Sequence, residues 1–145
     1  MASKGQMTGM LGVYLTAAEL IRRGFIVSPT SRSAMGADLL VTDQECKKAW
    51  SVQVKTNGRN VNFWLTGKKA HKLISRSHVY VFVNAPQGED ARPRFYVVPS
   101  GIVARNVKGP PWYPYYRNEH YEGKWSVFGD PKGTKPAKLS RTKIS

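Results

Sequence analysis

Between Gly36 and Thr56 the chain reads "GADLLVTDQECKKAWSVQVKT", and the alternation in its second half limits the fold more than any other stretch. Trp50, Val52 and Val54 fall at every second position, with Ser51, Gln53 and Lys55 between them. A period of two belongs to a β-strand with one apolar and one polar face. The apolar run before it and the polar "TDQECKK" between them predict a hairpin. Its apolar face needs a covering layer. On the other face Asp38, which shares a side of the first arm with Leu40, converges with Gln53 and Lys55. A carboxylate set into an otherwise apolar strand is costly to desolvate without a partner.

The flanking segments supply the layers. From Gly5 to Arg23, Met7, Leu11, Leu15, Ala18 and Ile21 recur at helical spacing, which predicts an amphipathic helix buried along that stripe and ended by Gly24. "FIVSPT" reads as a short strand stopped by Pro29, and "SPTSRSAMG" as a loop. "VNFWL" is extended, "TGKKAHKLIS" predicts a short basic helix opened by Thr66, and the apolar "HVYVFVNA" predicts a central strand. "RFYVVP" is the next strand, after which Ser100 caps a short helix over "GIVARNV". Short turns close the hairpins and helices remain to cover the faces. The expected architecture is therefore α/β, a mixed sheet of about five strands flanked by helices. A length of 145 residues suits one domain. We divide it into a core over 1–108, an aromatic extension over 109–130 packed on that core, and a basic, flexible tail over 131–145.

Charge points to the partner. The chain has 23 Lys and Arg against 9 Asp and Glu, a formal +14, and such a surface attracts phosphate backbones. No apolar run approaches the roughly 20 residues that span a bilayer, so no membrane partner is expected. "MASKGQMTGM" lacks the continuous apolar segment of a signal peptide, and a lone Cys46 offers no internal disulfide. A reducing, cytoplasmic location is the expectation. His71, His78 and His120 are scattered without metal-ligand spacing, and Cys46 has no base beside it.

An acidic oxygen, an amide oxygen and an ammonium brought to one spot suit metal-assisted phosphodiester hydrolysis. Mg2+ takes oxygen ligands, one or two of them carboxylates, and a nearby Lys offsets charge on the reacting phosphate. The backbone carbonyl of Val54 could add a further oxygen.

These motifs resemble the PD-(D/E)XK nuclease superfamily, in its Holliday-junction-resolvase-like and restriction-endonuclease-like branch. The resemblance runs from about Leu11 to Arg105 through "LTAAELIRRGFIV" with Glu19, "GADLLV" with Asp38 and "VQVK" with Lys55. It implies a restriction-endonuclease-like core and a metal-dependent endonuclease using Mg2+ or Mn2+. It also implies that Asp38, Gln53 and Glu19 hold the metal and that Lys55 assists hydrolysis. Two positions depart from the pattern. Ala37 replaces the Pro of the family name, and Gln53 replaces the acidic residue before x-Lys, making this a QxK variant.

Nucleic acid is the expected substrate, DNA before RNA, branched or duplex, and symmetric cleavage would call for a homodimer. Ser28, Thr30, Ser31, Arg32 and Ser33 precede Asp38 and border the site, and Thr56, Asn57, Arg59 and Asn60 extend its other edge. Lys68, Lys69 and Lys72, with Trp64 just before them, form a basic and aromatic patch suited to phosphates or an unstacked base. Two alternatives of another class are a non-catalytic nucleic-acid-binding domain on the same fold and a basic RNA-associated protein.

Overall fold

The computed structural model describes residues 1–31 and 36–133. Arg32 and Ser33, and the tail cations Lys135, Lys138, Arg141 and Lys143, lie outside the described residues. The first helix, α1 (Lys4–Arg22), opens with a capping box. Ser3 Oγ accepts from the Gln6 amide at 3.1 Å, and Gln6 Oε1 accepts from the Ser3 amide at 2.8 Å. Gly24, at φ +101°, follows the last turn in a left-handed conformation that glycine adopts freely.

Among the described residues seven strands follow: β1 (Ile26–Pro29), β2 (Leu39–Thr42), β3 (Ala49–Asn57), β4 (Phe63–Leu65), β5 (His78–Asn84), β6 (Arg94–Pro99) and β7 (Pro114–Tyr116). The main sheet runs β1-β2-β3-β5-β6, with β3 and β5 parallel and every other pair antiparallel. This is the expected α/β unit with a five-stranded mixed sheet. Strands β4 and β7 pair separately.

Alternation along β3, β5 and β6 creates two cores. On one face, Val52, Val54, Val79, Val81, Val83 and Val97 pack with Leu20 of α1 and with Phe25, Trp125 and Phe128. Phe25, Trp50 and Phe128 meet through ring contacts of 5.6 to 5.9 Å, so the chain beyond 109 completes this core. On the opposite face, Tyr80, Phe82, Tyr96 and Val98 are covered by Trp64 of β4, Tyr115 of β7 and Val103 of α2 (Ser100–Asn106). Among the described residues no helix is long and apolar enough to cross a membrane.

Three local expectations are corrected. The stripe of Met7, Leu11, Ala18 and Ile21 is exposed, and α1 instead buries Gly12, Thr16, Ala17 and Leu20. Small residues explain the rotation. A Cβ added at Gly12 would lie 1.7 Å from Thr56 Oγ1 and 2.7 Å from Thr56 Cβ, so the helix backbone rests directly on β3. The segment "TGKKAHKLIS" forms a 3-10 turn over Lys68–His71 with Gly67 at its N-cap. Thr66 does not cap it, because its hydroxyl donates to the Tyr113 carbonyl at 2.7 Å. Ser100 begins α2 after Pro99 at the N-cap, and its hydroxyl donates to the Ser75 carbonyl at 2.8 Å.

Candidate nuclease site

Strand β2 starts at Leu39, so Asp38 stands just before it, where β3 continues without a β2 partner. The Asp38 amide still donates to the Val52 carbonyl at 2.7 Å, and the Thr30 amide donates to the Asp38 carbonyl at 2.9 Å. The Thr30 hydroxyl donates to the Ala37 carbonyl at 2.7 Å. These backbone ties fix the side chain, and Asp38 Oδ2 then accepts from Gln53 Nε2 at 3.0 Å and from the Val54 amide at 2.8 Å. Two donors on one oxygen of a half-buried carboxylate offset its desolvation.

The same geometry orients the neighbours. A strand residue presents its N–H and C=O to the same edge, so the Val54 carbonyl faces the side on which Asp38 sits. Gln53 gives its amide nitrogen to Asp38, and its Oε1 accepts no hydrogen bond from a described residue. Lys55 is two residues further along β3 on the same face, half-buried and in register with Phe82. No described residue forms an ion pair with it. An open cleft of about 540 Å3 leads to Asp38 and Gln53, lined by them and by Val54, Thr30, Ser31 and Pro29 on one side, and Lys55 does not line it. The N-terminal half of α1 forms the other wall through Gln6, Gly9, Met10, Val13 and Tyr14.

Glu19 is not brought to this cleft. It lies six residues, about 9 Å of helix rise, beyond Val13, and its carboxylate pairs with Arg22 and Arg23. Val13 and its neighbours were not singled out from the sequence. The signal that could have found them is Gly9 and Gly12 inside a helical pattern, since a glycine there often marks a close approach of backbones.

The expected nucleic-acid contacts divide. Thr30 and Ser31 line the cleft, while Ser28 and Arg59 are exposed outside it. Thr56 is turned inward, its buried hydroxyl packed beneath Gly12 without a hydrogen-bond partner. Asn57 Nδ2 donates to the Phe63 carbonyl and to Asn84 Oδ1, and Asn60 Oδ1 accepts from Asn84 Nδ2. These asparagines tie β3, β5 and the β4 entry together. Trp64 is only 1% exposed and its Nε1 donates to the Val83 carbonyl at 2.9 Å, so it is a core residue. Lys68, Lys69 and Lys72 are exposed beside Tyr113.

For a divalent cation the available donors are a carboxylate oxygen of Asp38, the Gln53 amide oxygen and the Val54 carbonyl. This all-oxygen set suits a hard cation in kind, although it carries one negative charge. Among the described residues no group of three or more His, Cys, Asp or Glu could hold a metal.

No family model matches the chain, and no curated protein matches it significantly. Among solved structures the chain is similar to Hjc, a Holliday junction resolvase of Archaeoglobus fulgidus. The alignment spans 91% of this chain and 99% of that one, at 12% identity and a TM-score of 0.49.

Proposed function

We propose that this chain is a metal-dependent endonuclease of the PD-(D/E)XK type, hydrolysing phosphodiester bonds of nucleic acid, DNA before RNA. The observation that carries the proposal is Asp38 at the open edge of β3, bridging Gln53 Nε2 and the Val54 amide at the floor of a cleft. Lys55 follows on the same face. A purely structural carboxylate has no need of an adjoining cleft, or of an amide oxygen without a donor and an ammonium without a carboxylate partner among the described residues. Asp38, Gln53 and the Val54 carbonyl would hold Mg2+ or Mn2+, which when bound supplies Lewis-acid polarisation of a phosphate oxygen. The chain's own contribution is positional. Gln53 and Val54 lock the carboxylate, and the Lys55 ammonium hydrogen-bonds a phosphate oxygen and offsets the charge that builds as water attacks phosphorus.

One observation favours a second reading. The α1 wall of the cleft presents Val13, Met10 and Tyr14 and no acid, so one carboxylate stands where metal nucleases place more. A nucleic-acid-binding module with this fold and without cleavage follows if one carboxylate is insufficient. Incubation of branched, duplex and single-stranded substrates with Mg2+ or Mn2+ separates the two. The enzyme assignment expects cleavage that falls by orders of magnitude in both Asp38→Ala and Lys55→Ala with the fold retained. Cleavage that survives both substitutions would exclude this site, and binding with no cleavage under any condition would leave the binding module.

A further inference from the structure

The layer that covers the β4–β7 side of the sheet has an unusual charge balance. Over 56–88 and again over 91–118 the chain carries no Asp or Glu and ten Lys or Arg. Of these ten, only Arg94 and Arg117 pair with carboxylates of described residues. The densest cluster is the 3-10 turn, where Lys68, Lys69, His71 and Lys72 surround Tyr113 in a shallow groove of about 330 Å3. The turn and the aromatic are fixed to each other. The Thr66 amide and hydroxyl both donate to the Tyr113 carbonyl, at 2.8 and 2.7 Å, and the His71 ring stands edge-on to the Tyr113 ring at 5.5 Å.

Beside Tyr113 is Trp112, 69% exposed, whereas Trp50, Trp64 and Trp125 are each 8% exposed or less. A tight turn holds it out. Gly109 has φ +121°, and a Cβ there would lie 2.0 Å from the Trp112 carbonyl oxygen, so the approach requires glycine. The segment after the turn also touches the chain that precedes Asp38. Leu73, directly after Lys72, lies over Gly36, where a Cβ would be 3.5 Å from Leu73 Cδ2. Gly36 is two residues before Asp38.

We propose that this groove binds an unpaired strand of nucleic acid. Trp112 and Tyr113 would stack a base while Lys68, Lys69 and Lys72 hold the flanking phosphates, and the strand then continues toward Asp38. This deepens the nuclease assignment and rests on it for the direction of the strand. It names the substrate as nucleic acid with a single-stranded segment next to the scissile phosphate. Aromatic faces reward unstacked bases, and a duplex keeps its bases stacked on one another and offers mainly phosphate contacts. Nothing in the groove selects the sugar, so an unpaired DNA strand and an unpaired RNA strand share this chemistry.

The experiment is intrinsic tryptophan fluorescence of the full chain, titrated with oligothymidylate and oligouridylate of about a dozen nucleotides and with a duplex of equal phosphate content. Trp112 dominates the solvent-accessible signal, so single strands should quench it and the duplex should quench it far less. Trp112→Ala should abolish most of the quench and weaken single-strand affinity about 10-fold. The Lys68→Ala, Lys69→Ala, Lys72→Ala triple variant should weaken binding and flatten its salt dependence. Comparison of the two oligonucleotides assigns the strand to DNA or RNA. Equal quenching by duplex and single strands, or wild-type single-strand affinity in Trp112→Ala, would overturn the proposal. Cleavage of duplex without any Trp112 response would refute the groove and leave the nuclease assignment standing. Quenching without cleavage would support the groove and refute the nuclease assignment.

Discussion

Gly12→Ala sets two forces against each other, and the structure decides the sign. Within a helix, Gly→Ala gains about 1 kcal/mol from backbone entropy. Here the new methyl would meet Thr56 Oγ1 at 1.7 Å, Cβ at 2.7 Å and Cγ2 at 2.8 Å. Rotating the threonine does not relieve this, because Cβ does not move with χ1. The helix must lift from β3, and overpacking of that kind costs about 1–3 kcal/mol, at times more. With the propensity gain subtracted, a loss of up to about 2 kcal/mol remains, which for a domain of this size lowers Tm by up to roughly 8 °C. The lift also moves Met10, Val13 and Tyr14, the α1 wall of the cleft, so any cleavage should fall with stability. Thermal unfolding followed by circular dichroism tests this. A Tm equal to or above wild type would show that helix propensity governs and that α1 does not rest on Thr56 as described.

Trp64→Ala should cost about 3–5 kcal/mol, since it empties a fully buried site and removes the Nε1 hydrogen bond to the Val83 carbonyl. Trp112→Ala should stay within about 0.5 kcal/mol, and urea denaturation compares the pair. His78 is buried beside Ser51, its Nδ1 2.7 Å from Ser51 Oγ, and burial lowers its pKa from the ordinary 6.5. The unfolded chain therefore takes up this proton first, and stability should fall as pH drops below about 6.5, an effect that His78→Asn removes. Nucleic-acid affinity should fall steeply with salt, by a log–log slope of about 0.7–0.9 per phosphate neutralised. Ending the chain after Gly133, which deletes Lys135, Lys138, Arg141 and Lys143, should reduce that slope while the core stays folded. An unchanged slope would show that the tail stays off the nucleic acid.

The sheet was legible in the sequence because alternation is a local signal. Trp50, Val52 and Val54 had to share a face, and "HVYVFVN" could only be a strand covered on both sides. The convergence of Asp38 on Gln53 was legible for the same reason, since hairpin register follows from strand length. The buried face of α1 was not, because Gly12, Thr16 and Ala17 carry little hydrophobicity and are buried for their small size. Glu19 was proposed from the family resemblance alone, and its carboxylate pairs with Arg22 and Arg23. Trp64 looked like a surface residue because the layer covering it, β7 with Tyr115, arrives about fifty residues later in the chain, and Thr56 because its cover is Gly12 of α1, far earlier in the chain. Periodicity within one segment carries no information about such a cover.

The most direct test of the Asp38 site is a calorimetric Mn2+ titration of wild type, Asp38→Ala and Gln53→Glu. In Gln53→Glu a carboxylate oxygen replaces the amide nitrogen that now donates to Asp38 Oδ2 at 3.0 Å. Without a cation the two carboxylates repel, and with one they form the stronger ligand pair for a hard ion. The nuclease assignment expects weak binding in wild type, none in Asp38→Ala and binding tightened at least about tenfold in Gln53→Glu, a gain of about 1.4 kcal/mol. Absence of a binding heat in both wild type and Gln53→Glu would contradict it.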